Sequence, residues 1–131
     1  MFERGGLAYV YLIYGVHNCF NVTSGIPGIG EAVLIRAVEP LEGIELMKTN
    51  RGTQNTEELC NGPGKLCQAF EIDRRHNGSS LIDGNIRLQV PVIPVERSNI
   101  RVTGRIGIKR GVDRQRRFVL SGSRWISRCK L

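Results

Sequence analysis

Apolar and polar positions divide this chain into short segments whose period changes from one to the next. Residues 7–14, LAYVYLIY, are almost continuously β-branched, aromatic or aliphatic, and after Gly15 the run NCFNVT continues the theme. Two short strands joined by a turn are the simplest expectation. AVLIRA, residues 32–37, predicts a third strand. In EPLEGIELMKTNRG, Pro40 opens a segment where Leu41, Ile44 and Met47 recur at helical spacing and Gly52 ends it, which predicts a short amphipathic helix. NGPGKLCQAF starts with turn residues and runs into Leu66, Cys67, Ala69 and Phe70, a second short helix beginning near Pro63. NGSS marks a turn. Beyond it, IRLQVPVIPV, IRVTGRIGI and RRFVLSG read as strands, the first broken by Pro91 and Pro94 and so placed near a sheet edge. The expected class is α+β, a single strand-rich domain with no repeat, low-complexity tract or internal boundary.

Composition narrows the setting. A chain of 131 residues fits one domain with one core, burying about two thirds of the surface that its unfolded form exposes. No apolar run approaches the ~20 residues of a membrane span, and MFERGG lacks a basic region followed by an apolar segment, so neither a membrane protein nor a secreted one is expected. Cys19, Cys60, Cys67 and Cys129 then read as reduced thiols used as small apolar residues. They form no C-x-x-C, and only His17 and His76 could complete a zinc site, so no metal is expected. The sequons at Asn21 and Asn77 are set aside for want of an export signal.

Charge is distributed unevenly. The net charge is +7, yet the segment from Arg97 onward carries eleven Lys and Arg against Asp113 alone, while the first 96 residues sum to −3. One end of the protein is thus expected to face an anion, a polyphosphate backbone being the commonest, because neutralising it releases condensed counterions. The alternative is a merely solvated basic edge.

Three features could carry chemistry. All three tyrosines, Tyr9, Tyr11 and Tyr14, fall within six residues. On a strand, Tyr9 and Tyr11 share one face while Tyr14 sits at the end beside Gly15. They are either core tyrosines with satisfied hydroxyls, or a stacking floor and a wedge of the sort used to draw a base from its stack. GPGK, residues 62–65, offers backbone N–H groups and the Lys65 ammonium to one phosphate, or is an ordinary turn before a helix; it is not a Walker A loop, since Leu66 stands where a hydroxyl is needed. Arg36 interrupts an apolar strand and demands partners, either a structural ion pair with Glu39 or a functional group.

In combination these segments resemble a family. MFERGGLAYVYLIYGVHNCFNVTSG, AVLIRAVEPLEG and LCNGPGKLCQAFEI are similar, in order and spacing, to consecutive motifs of the alkyladenine, or 3-methyladenine, DNA glycosylases, and RFVLSGSRWIS is similar to their closing strand. The resemblance implies that family's α+β fold, a mostly antiparallel curved sheet with short helices. It also implies a monofunctional base-excision enzyme that flips a damaged purine out of duplex DNA and hydrolyses the N-glycosidic bond with water. No cofactor is implied, and the partner is double-stranded DNA bearing alkylated or deaminated purines, met by a monomer in the cytoplasm (nucleoid) or nucleus. Carried over by position, Tyr11 matches the tyrosine that stacks on the flipped base and Tyr14 the wedge that fills the vacated space. Asn21 matches the residue that crowds the exocyclic amine of normal guanine. Arg36 matches the arginine that helps to hold the nucleophilic water, and Lys65 lies in the phosphate-contact motif.

The sequence also departs from the family's pattern. The water-activating glutamate of the family lies upstream of the segment matching Met1, and Glu3, Glu31 and Glu39 do not match its position. Residues 1–131 are therefore expected to be the C-terminal portion of one such domain, inactive alone. Arg124 stands where the closing GSPW motif has proline. Two rivals follow: a non-enzymatic DNA-binding remnant on the same fold, and an RNA-binding domain using the basic tail and exposed rings.

Overall fold

The computed structural model describes residues 1–127. Its first sheet is a three-stranded antiparallel meander of β1 (Ala8–Ile13), β2 (His17–Thr23) and β3 (Ala32–Leu34). β1 and β2 form the expected hairpin, in a register that sets Tyr9 opposite Asn21, Tyr11 opposite Cys19 and Ile13 opposite His17. Because side chains alternate along a strand, this register divides the hairpin into two faces. Ala8, Val10 and Phe20 point into the core, where Leu59, Leu66 and Leu81 meet them. Tyr9, Tyr11, Cys19 and Asn21 occupy the other face. β3 is shorter than expected. Its ladder opposes Leu34 to Asn21, the Ile35 amide still donates to the Phe20 carbonyl at 3.0 Å, and Arg36 to Glu39 then leave regular structure.

Two short helices cover the core face. α1 (Ile44–Arg51) starts later than the pattern predicts, and Leu41 lies outside it, exposed. Gly43 stands at its head with φ 69°, a left-handed conformation natural to glycine, and it interrupts any helix begun at Pro40. Met47 carries the burial of α1. α2 (Pro63–Ala69) begins at the expected proline and inserts Leu66, Cys67 and Ala69 into the core. The two helices are tied by the Asn50 amide donating to the Ala69 carbonyl at 3.1 Å and the Gln68 amide to the Asn50 carbonyl at 2.9 Å.

The last third of the described chain differs most from expectation. Residues 86–95 form no strand. Pro91 and Pro94 have no N–H to give to a ladder, and Val90, Val92 and Ile93 are exposed. Only parts of the next two segments pair, as β4 (Ile100–Thr103) and β5 (Arg117–Leu120), a separate two-stranded antiparallel sheet. The buried cluster draws on residues 8–81, with Ile86 packed against its margin. The single core expected is thus found, although residues 88–126 add no buried apolar side chain to it. The class stands as α+β, with antiparallel strands in two sheets. No helix of the described residues is long and apolar enough to cross a membrane.

Candidate nucleic-acid and purine site

The hairpin tip comes first. The Val16 amide donates to the Ile13 carbonyl at 3.2 Å, which leaves Tyr14 and Gly15 as the reversing pair, with φ 53° and 69°. A tyrosine in the left-handed region is uncommon, and the ring stands 83% exposed. It makes no part of the core, so a core role is excluded for Tyr14.

Tyr11 lies three residues back, half-buried, on the hairpin face opposite Val10 and Phe20. Its ring centroid is 5.4 Å from that of Tyr9, tilted by 39°, so Tyr9 braces it from the side. Burial pushes the Tyr11 phenol up, and the Cys19 thiol opposite pushes it further, while the Arg36 guanidinium pulls the other way. Burial likewise pushes the Cys19 thiol up, with Tyr11 and Arg36 opposing. Both groups are thus neutral near pH 7, and Arg36 is near enough to act on both.

Asn21, only 6% exposed, is held by its amide, which donates to the carbonyls of Tyr9 at 3.1 Å and Cys19 at 3.4 Å. Arg36 lies just beyond β3, and its charge acts on both Tyr11 and Cys19, which sets it beside the same face. Its Nη2 donates to Ser127 Oγ at 3.4 Å, and its Nε is buried with no acceptor among the described residues. No ion pair joins it to Glu39 or to any other described carboxylate, and Glu3, Glu31 and Glu39 are all exposed. The structural ion pair considered for Arg36 is therefore excluded within the described residues.

Lys65 is not part of this group. It lies on α2, which buries Leu66, Cys67 and Ala69, and its Nζ donates to Asn61 Oδ1 at 2.9 Å. α2 reaches the hairpin closely because residue 64 is glycine: a Cβ there would stand 3.2 Å from the His17 Cβ. Tyr11, Asn21 and Arg36 thus converge on one face and Tyr14 marks the tip. A separate polar cleft of about 560 Å³, lined by residues including His17, Asn18, Gln68 and Arg75, includes none of the three converging residues. Asp73 at its rim is held down to about 2, chiefly by hydrogen bonds from Arg75.

Three participants are not singled out in the sequence. Cys19 is within reach, since a three-residue turn after Ile13 sets it opposite Tyr11. Ser127 and Arg117 are not, because nothing local distinguishes them. Arg117 donates to the Ser127 carbonyl at 2.8 Å and to Thr103 Oγ1 at 3.4 Å, which sets it apart from its neighbours Arg114 and Arg116, both exposed.

Comparison with known proteins shows the family. The profile described as "Methylpurine-DNA glycosylase (MPG)" matches residues 1–124. A protein of Methanoculleus marisnigri named "Putative 3-methyladenine DNA glycosylase" is 49% identical over 130 residues, 98% of this chain and 68% of its own length. A protein of the same name from Carboxydothermus hydrogenoformans is 47% identical over 128 residues, covering 98% and 67%. Another, from Prosthecochloris aestuarii, is 45% identical over 128 residues, covering 98% and 61%. The chain spans about two thirds of the length of these relatives. It belongs to the methylpurine-DNA glycosylase family.

Proposed function

We propose that this chain supplies the purine-contacting face and the DNA wedge of a glycosylase that removes 3-methyladenine and related damaged purines from duplex DNA. The observation that carries the proposal is the hairpin itself. It holds Tyr11 and Asn21 on the face that Arg36 joins, and it lifts Tyr14 into solvent at its tip. Tyr11 is the stacking floor, neutral and electron-rich, and suited to a purine that alkylation has made cationic. Asn21, anchored by two backbone carbonyls, is a rigid bumper against the exocyclic amine of guanine. Tyr14 fills the space that the flipped nucleotide leaves. Arg36 polarises and places the attacking water, Lys65 takes a backbone phosphate, and the exposed arginines of the β4–β5 segment add sequence-independent affinity.

The chemistry asks little beyond placement where the base is already a good leaving group. Alkylation at N3 or N7 weakens the glycosidic bond, so orientation and a held water carry most of the work. Neutral lesions such as hypoxanthine need an activated water and a proton for the departing purine. A guanidinium offers donors only and cannot be that base, and no described carboxylate pairs with Arg36. That observation favours a second reading for the isolated chain, DNA docking with little hydrolysis. Single-turnover release from duplexes bearing either lesion tests both. Release of 3-methyladenine well above that of hypoxanthine, abolished by Arg36→Ala, is the expected result. Binding to damaged duplex with no release of either base would establish the docking role instead. Binding no tighter to a damaged duplex than to single-stranded RNA would end both.

A further inference from the structure

We propose that Ser127, clamped by Arg117, is the positioning residue that aims the Arg36 guanidinium; the inference rests on the reading of Arg36 as the group that places the attacking water. The hydrogen bond between them spans 91 positions of sequence, so it is a product of tertiary structure alone. A guanidinium has five donors, yet the hydrogen bond to Ser127 Oγ is the one that Arg36 makes among the described residues, and its buried Nε is left without an acceptor. The direction of the group is thus set by a single hydroxyl. A hydroxyl is suited to that task because it accepts from arginine without neutralising it, where a carboxylate would cancel much of the charge that polarises the water.

Ser127 is itself held in place. It is buried, and its carbonyl accepts from Arg117 Nη2 at 2.8 Å. Arg117 opens β5 and is fixed across the ladder by its bond to Thr103 on β4. A second anchor lies three residues earlier, where Arg124 pairs with Glu57 at 3.3 Å and lies over the Trp125 ring, 5.1 Å from its centroid. The segment 124–127 is therefore strapped from the β4–β5 sheet to the turn at Thr56–Glu58, and the strap delivers one hydroxyl to Arg36. Arg124 occupies the position where the family's motif has proline, and the ion pair with Glu57 is what this chain makes of it.

The test uses the full chain, labelled with ¹⁵N-arginine, in three variants. Ser127→Ala removes the hydroxyl, Ser127→Thr keeps it, and Arg117→Lys keeps the charge but loses the fork. Two readouts are taken: the exchange of the Arg36 Nε–H with water by NMR, and single-turnover release of 3-methyladenine beside the Kd for the same duplex. Ser127→Ala is expected to accelerate Nε–H exchange and to slow release by about 10- to 100-fold, the scale of a misplaced reacting group, with Kd changed less than about twofold. Ser127→Thr restores both, and Arg117→Lys shifts the exchange in the same direction as Ser127→Ala. Unchanged Nε–H exchange in Ser127→Ala, or failure of threonine to restore it, overturns the proposal. If no variant and not the parent releases base, the glycosylase reading fails separately, and the exchange measurement alone decides whether Ser127 positions Arg36.

Discussion

Asn21 bonds across the hairpin to its own register partner: the side-chain amide donates to the Tyr9 carbonyl at 3.1 Å. The bond turns a polar residue that is nearly inaccessible into part of the hairpin frame, and it links the position expected to screen purines to the strand that carries the stacking ring. Asn21→Asp puts an acceptor where a donor is required. It is expected to lower stability by about 1–3 kcal/mol through an unsatisfied buried group, read as a shift in denaturant midpoint. Asn21→Ala loses the bumper and is expected to raise release of guanine relative to 3-methyladenine in a competition assay. If Asn21→Ala leaves that ratio unchanged, Asn21 only holds the hairpin.

Tyr14 combines an exposed ring with a left-handed backbone. Tyr14→Ser should leave the melting temperature within a few degrees of the parent while impairing flipping, measured by single-turnover excision. Tyr14→Gly separates the two properties further. Glycine relieves a conformation costing a non-glycine residue roughly 1 kcal/mol and adds unfolded-state freedom of similar size, so net stability should hardly move while wedge function disappears. A large loss of stability in either variant would make Tyr14 a packing residue.

The basic segment should make DNA binding depend on salt. Alanine at Arg114 and Arg116, both exposed, is expected to reduce the log–log salt slope by about 0.9 for each phosphate that the variant no longer neutralises. An unchanged slope would remove these two residues from the interface. Arg117 does not belong in the same test, because its guanidinium is committed to Thr103 and Ser127.

Cys60 and Cys67 provide a pH signature. Burial is the leading cause that pushes each thiol from its ordinary 9.0 up to about 11. A folded pKa raised above the unfolded one means stability fully present below pH ~9 and lost as pH rises through ~11. The expected loss is on the order of 2–3 kcal/mol for each thiol. The double variant Cys60→Ala with Cys67→Ala should flatten the stability profile between those limits relative to the parent. Both thiols should also resist alkylation in the folded protein at pH 8, which mass measurement after iodoacetamide checks.

Short-range periodicity is sufficient for one part of this protein. Alternation along residues 8–13 places Tyr9 and Tyr11 together before any partner is known, and Gly15 locates the reversal. Pro63 sets the start of α2, because a missing N–H costs nothing at a first helical turn. The motifs in the same segments are sufficient to name the family. Everything that depends on distant partners is settled by folding instead. Residues 86–95 have strand composition but no neighbour to complete a ladder through two prolines, so they stay irregular. β3 ends at Leu34 rather than Ala37, and Leu41 stays outside α1, because pairing and the left-handed Gly43 outweigh a three-residue spacing. Arg36 shows the need for a partner in its own sequence but not the partner's identity. The nearby Glu39 is the local candidate, and the chain instead brings Ser127 from 91 positions away, since a side chain's hydrogen bonds follow from where folding puts the acceptor, not from how near it lies along the chain.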